Sequence, residues 1–267
     1  MLPAFARDRA PGGTGHAIWR WFAGWWGVVY LGALVLVLAL SPSTYHKANR
    51  RAIARHVYAD TAPSLLWYTA LAALISLVLI RIVVVTAQSY GLTQYALEMV
   101  VRVLVLELIP VTAAVFALLR CTLPNGAEIS ALLPRGGREP RVRHDADFLQ
   151  REVLPRVASG VFCVLMLAAA SSTLALLLAY LDVFGFTTEG FVPYTRQVGR
   201  VFNAPVTMIF TVKTLLLAFA VALTPIAVVL YDQAPGRARD GEALRALVRV
   251  FLLMLLIEAA SLLGNYS

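Results

Sequence analysis

The 267-residue sequence predicts an all-α integral membrane protein: five transmembrane helices preceded by an N-terminal membrane-embedded helix. Three observations carry that prediction. Hydrophobic residues make up 60% of the chain and charged residues only 14%, where a soluble domain holds about a quarter charged residues. Long stretches carry no charge at all, among them Trp21 to His46, Thr61 to Ile80 and Val157 to Leu181, and about 20 apolar residues suffice to cross a bilayer core. Leu, Val and Ala fill these stretches without the alternation of a membrane barrel, so helices must satisfy the backbone. Disordered chains, collagenous repeats and ordinary cytosolic enzymes are excluded. The net charge of +8 would suggest nucleic acid in a soluble protein. Here the basic residues fall between apolar runs, so membrane topology explains them and no nucleic-acid partner is expected.

The elements follow in order. Residues 1–16 read as a tail, 17–58 as a membrane-embedded helix with a basic cytoplasmic connection, and 59–264 as the main membrane domain. In the first run, Trp19, Trp21, Trp25 and Trp26 cluster with Arg20, as in an interfacial anchor. This run is expected to be interfacial or re-entrant, with a sixth span as the alternative that its length allows. No cleavable signal peptide is expected, because Ala39-Leu40-Ser41 is a poor cleavage site. Spans are expected at about 61–87, 99–119, 157–181, 201–231 and 248–263. Cys121 and Cys163 offer neither a disulfide framework nor metal spacing and read as small buried side chains.

Loop charges set the orientation. Ser41 to Tyr58 holds Lys47, Arg50, Arg51 and Arg55. Arg120 to Arg156 holds seven arginines, and Asp232 to Arg245 holds Arg237, Arg239 and Arg245. Gln88 to Gln94 has no basic residue, and Asp182 to Arg200 has only Arg196 and Arg200. The arginine-rich connections are therefore expected in the cytoplasm, with the C-terminus outside.

Catalytic signatures are missing from the sequence. Gly12-Gly13-Thr14-Gly15 lacks the Lys-Ser/Thr of a phosphate cradle, so ATP hydrolysis would fall to another chain. His144-Asp145-Ala146-Asp147 reads as a solvated loop rather than a metal site. No cofactor or metal is expected, and neither is covalent catalysis. Charges inside the spans are more telling, because an ionised side chain at mid-bilayer costs about 2.5–3.5 kcal/mol on insertion scales. Glu107, Lys213 and Glu258 stand in that position. They read as the polar lining of a cavity or as ion pairs between helices. Arg81 and Arg102 lie closer to span ends, where snorkelling serves. Ala168 to Thr173 is a small-residue patch suited to helix packing. Pro110 and Pro225 are expected to kink their helices, and Pro110 frees carbonyls near Glu107.

From Glu107-Leu108-Ile109-Pro110-Val111 onward the sequence resembles the MlaE/YrbE-type permease family, the membrane subunits of MCE-associated lipid ABC transporters. The family register continues through Arg120, Ala127-Glu128-Ile129, Asp147 and Pro155-Arg156. Arg55-His56-Val57-Tyr58 lies upstream, and Lys213 and Glu258 stand where the family carries a lysine and an acid. The likeness covers about residues 17 to 264. It implies a bacterial inner-membrane permease, acting as a dimer with a second copy or a paralogue, whose cavity takes a phospholipid or another hydrophobic lipid. Implied partners are an ABC ATPase, a periplasmic MCE protein and a STAS-domain regulator. Glu107, Lys213 and Glu258 would serve as cavity or inter-helix polar groups. Arg120, Glu128 and Asp147 would belong to the ATPase-coupling region. Leu106, Ile109 and Ser130 depart from the family pattern. So does Pro134-Arg135-Gly136-Gly137-Arg138-Glu139-Pro140, whose two Gly and two Pro oppose the continuous helix that docks the ATPase in the family. That departure supports an alternative, a non-transporting paralogue that serves as scaffold or asymmetric partner in an MCE complex.

Overall fold

The computed structural model describes residues 15–41, 47–133, 146–231 and 242–266. The first fourteen residues, the Pro134–Pro140 segment, His144, Asp145, Arg237 and Arg239 lie outside them. Seven helices make up the described chain: α1 (Gly15–Leu40), α2 (Lys47–Ser89), α3 (93–132), α4 (146–184), α5 (Phe191–Val201), α6 (Ala204–Tyr231) and α7 (Glu242–Tyr266). No strand occurs among the described residues. Five helices are long and apolar enough to cross a membrane, over Arg50–Ser89, Tyr95–Leu132, Leu149–Phe184, Ala204–Tyr231 and Ala243–Gly264. This is the all-α membrane architecture that the charge-free runs predict.

The helices outrun the apolar segments that announce them. α2 holds 43 residues, about 65 Å at 1.5 Å per residue, and passes residue 58 without a break. The basic stretch from Lys47 is thus the helical continuation of the first span. α2 ends at a glycine stop: Leu92 N–H bonds Ala87 O at 2.8 Å and Gly91 N–H bonds Gln88 O at 3.1 Å. Gly91 adopts φ 71°, which an L side chain resists.

α3 and α4 are not uniform α-helices. Wide π turns occupy Val101–Leu108, Leu118–Thr122 and Leu149–Val153. Each is followed by an α segment with proline in its first turn: Pro110, Pro124 and Pro155. Proline lacks the N–H that would close an α-register bond four residues back, so the preceding turn widens. Pro225 lies inside the α segment of α6 with no π turn before it.

The spans pack where side chains are small. A Cβ on Gly160 of α4 would stand 2.9 Å from Thr122 Cγ2 and 3.1 Å from Ala222 Cβ, and one on Gly126 would stand 3.2 Å from Pro225 Cβ. Those contacts fix α3, α4 and α6 as close neighbours at the arginine-rich end. α1 is one continuous helix packed on the second half of α6, with Val28, Leu31 and Val35 buried among Ala222, Leu223, Ile226, Ala227 and Leu230. Gly27 faces Tyr231 and Gly32 faces Leu223, so the two helices run antiparallel. Trp26 is exposed, while the side chains of Trp19, Arg20 and Trp21 lie outside the described residues. α5 lies between α4 and α6, where the sequence predicts only a connecting loop.

Candidate functional site

Glu107, Lys213 and Glu258 come from three different helices, α3, α6 and α7, and meet at one point. Lys213 Nζ donates to Glu107 Oε2, to Glu258 Oε1 at 2.8 Å and to the Leu106 carbonyl at 3.2 Å. Its side chain is 2% exposed, against 17% for Glu107 and 24% for Glu258. All three ammonium protons are thereby used. The Leu106 acceptor follows from sequence, since Pro110 has no N–H to bond the carbonyl four residues back. Lys213 takes that place. The π turn over Val101–Leu108 adds a residue to the turn that carries Glu107, a deviation common at functional positions.

An apolar cavity of about 390 Å³ opens beside the triad between α6 and α7, where Met208, Val212, Leu216, Leu256 and Ile257 surround Lys213. A second, of about 280 Å³, lies between α2 and α3 beside Tyr68, Ile75, Leu104, Leu108 and Thr112. The Tyr68 hydroxyl shares a 3.0 Å hydrogen bond with Thr112 Oγ1. The α3 segment 104–112 therefore faces the triad on one side and this groove on the other. The arrangement can hold apolar chains next to a fixed, charged centre.

The residues expected in the ATPase-coupling region do not gather. Glu128 Oε2 receives Arg156 at 3.4 Å, and Arg156 also bonds Glu152 Oε2 at 2.6 Å and Glu152 O at 2.8 Å. Asp147 pairs with Arg151 at 3.7 Å. Arg120 is exposed and joins neither pair. Arg156, the arginine of the Pro155-Arg156 motif, thus ties the last turns of α3 to the start of α4 across the connection 134–145.

Two groupings escaped the sequence reading. Asp60 on α2 accepts from Asn125 Nδ2 at 3.0 Å and from Ser159 Oγ, joining α2, α3 and α4. Beside it Cys121 Sγ lies 3.3 Å from Cys163 Sγ and 3.5 Å from Ser64 Oγ. Asp60 stands one position before the charge-free stretch, which was the available signal. Arg81, expected to snorkel, pairs with Asp182 at 3.2 Å, because α4 continues to Phe184 and carries Asp182 within reach. Arg102 pairs with Glu98 at 3.0 Å on its own helix.

A sequence model described as Permease MlaE matches residues 53–263. The chain belongs to the MlaE permease family. A search among curated proteins finds no match. The matched region of this MlaE-family permease starts in the basic end of α2, takes in all five spans and leaves out α1. The family makes the chain a multi-pass transport subunit.

Proposed function

We propose that this permease is the membrane subunit of an ABC-type transporter that moves a phospholipid, or another hydrophobic lipid, between the bacterial inner membrane and a periplasmic MCE protein. A separate ATPase chain supplies ATP hydrolysis, a STAS-domain protein regulates it, and a second permease copy or paralogue completes the cavity. The observation that carries this reading is the buried Glu107–Lys213–Glu258 centre beside an apolar groove in a chain of this family. Acyl chains require only the apolar lining. A desolvated charge centre shared by three helices is the kind of element whose rearrangement transport can use. Arg120, Glu128 and Asp147 belong to the end that faces the ATPase.

The test reconstitutes the permease with its co-purifying partners and follows lipid transfer driven by ATP. Lys213→Ala and Glu107→Ala are expected to reduce transfer at least tenfold while the complex still assembles. Wild-type rates in both variants would sink the site assignment. Mass spectrometry of the intact complex tests the partners, with an ATPase and an MCE protein expected at fixed stoichiometry. The second reading, a non-transporting scaffold, rests on the Gly- and Pro-rich Pro134–Pro140 sequence. An MCE protein or second permease retained without an ATPase would favour it.

A further inference from the structure

The described helix α5 (Phe191–Val201) was not anticipated from the sequence, and one of its faces has no protein cover. Its inner face is fixed: Val201 is buried, Val198 packs against the α2–α3–α4 cluster, and the Tyr194 hydroxyl donates to Leu176 O at 2.8 Å. Positions 192, 196, 199 and 200 share the opposite face by helical periodicity. Val192, Arg196, Gly199 and Arg200 are all exposed there. At the start of the helix Phe191 is 60% and Val192 63% exposed, and Phe186 just before it is 93% exposed.

Connectivity places α5 at one end of the spans. α5 joins two spans directly, following Phe184 at the end of α4 and preceding Ala204 at the start of α6. Neither Arg196 nor Arg200 forms an ion pair among the described residues. Acids nearby are few. Asp182 is taken by Arg81 and Glu98, on the adjoining start of α3, by Arg102; Glu189 stands in the turn before the helix, and no Asp or Glu follows in the sequence until Asp232. An exposed valine beside two arginines on one helix face, with exposed Phe191 at the helix start and Phe186 just before it, forms the pattern of an interfacial helix attracted to negatively charged lipid.

We propose that the outward face of α5 binds anionic phospholipid headgroups of the adjoining leaflet, through Arg196 and Arg200, with Phe186, Phe191 and Val192 seated at the acyl boundary. Guanidinium groups one helical turn apart can each donate two hydrogen bonds to a phosphate. The site is separate from the Lys213 centre and does not depend on which lipid is transported.

The test uses the full chain in bilayers, with a fluorophore on Thr195→Cys, an exposed position on the same helix. Cys121 and Cys163 are buried and leave that site to the label. Bilayers carry a nitroxide-labelled lipid at one fixed fraction, either phosphatidylglycerol or phosphatidylcholine. Labelled phosphatidylglycerol should quench several-fold more strongly, since an arginine near an anionic surface favours contact by about fivefold. The difference should vanish in Arg196→Gln/Arg200→Gln, persist in Arg196→Lys/Arg200→Lys, and shrink in high salt. Equal quenching by the two lipids in the wild type overturns the proposal. So does a preference that survives the double Gln change. Shielding of the label only when a periplasmic protein is added would make the face a protein-docking surface instead.

Discussion

Lys213 has three N–H bonds and three acceptors, two of them carboxylates from different helices. Removing the ammonium alone leaves two carboxylates facing each other away from water, and breaking a buried pair costs about 3–5 kcal/mol. Lys213→Met should therefore lower the thermal unfolding temperature in detergent markedly. The triple change Glu107→Gln/Lys213→Met/Glu258→Gln removes every charge together, and most of that stability should return. Lipid transfer should stay lost in both. Recovery of transfer in the triple variant would make the centre purely structural. These three residues were legible in the sequence because a charge inside a long apolar run has no inexpensive alternative. What the sequence could not give was their partnership, since one-dimensional spacing does not say which helix faces which. Asp60 was missed because it sits at the edge of its run, where a solvated carboxylate is the ordinary expectation.

Element by element, long apolar stretches identified the five spans, while the internal geometry of α3 and α4 was hidden. The π turns depend on where proline falls relative to neighbouring helices, and Pro225 in α6 shows that proline alone does not produce one. α5 was invisible because a short helix with one polar face has too few apolar residues to stand out. Packing between spans gives a direct test. Gly160→Leu inserts a side chain where a Cβ already meets Thr122 and Ala222, and overpacking of this kind costs about 1–3 kcal/mol. Gly199→Ala, in open space on α5, should leave stability unchanged or raise it by up to about 1 kcal/mol. A chemical unfolding series comparing the two sets the packing claim against its control. The docking of α5 also has a pH signature. Burial raises the Tyr194 phenol from its usual 10.0 to about 12, because the phenolate is poorly solvated there. The folded state thus holds this proton more tightly than the unfolded one. Its contribution is complete below pH 10 and is lost as pH rises towards 12. The wild type should lose stability over that window relative to Tyr194→Phe, and parallel curves would contradict the assignment.

Across the whole molecule, charge is divided between the two ends of the bundle. Arg156, Glu128 and Glu152 form a clamp at the end carrying the arginine-rich connection. The other end carries Arg81–Asp182, Arg102–Glu98 and the α5 arginines. Helix directions alternate consistently: the Gly126–Pro225 and Gly160–Ala222 contacts bring the end of α3, the start of α4 and the end of α6 together at one surface. Positive residues are retained on the cytoplasmic side during insertion, so the seven arginines from Arg120 to Arg156 predict that this end lies inside. The triad lies on the far side of those contacts, in the first halves of α3 and α6, nearer the α5 end. A lipid headgroup would therefore reach it from the outer side of the membrane. Impermeant thiol reagents can check the orientation against a silent background, since Cys121 is 2% and Cys163 0% exposed. Thr195→Cys should react in right-side-out vesicles and Asp147→Cys only in inverted ones. The reverse pattern would turn the molecule over. Glu107, Lys213 and Glu258 would then lie nearer the cytoplasmic leaflet, and α5 would meet the inner leaflet instead.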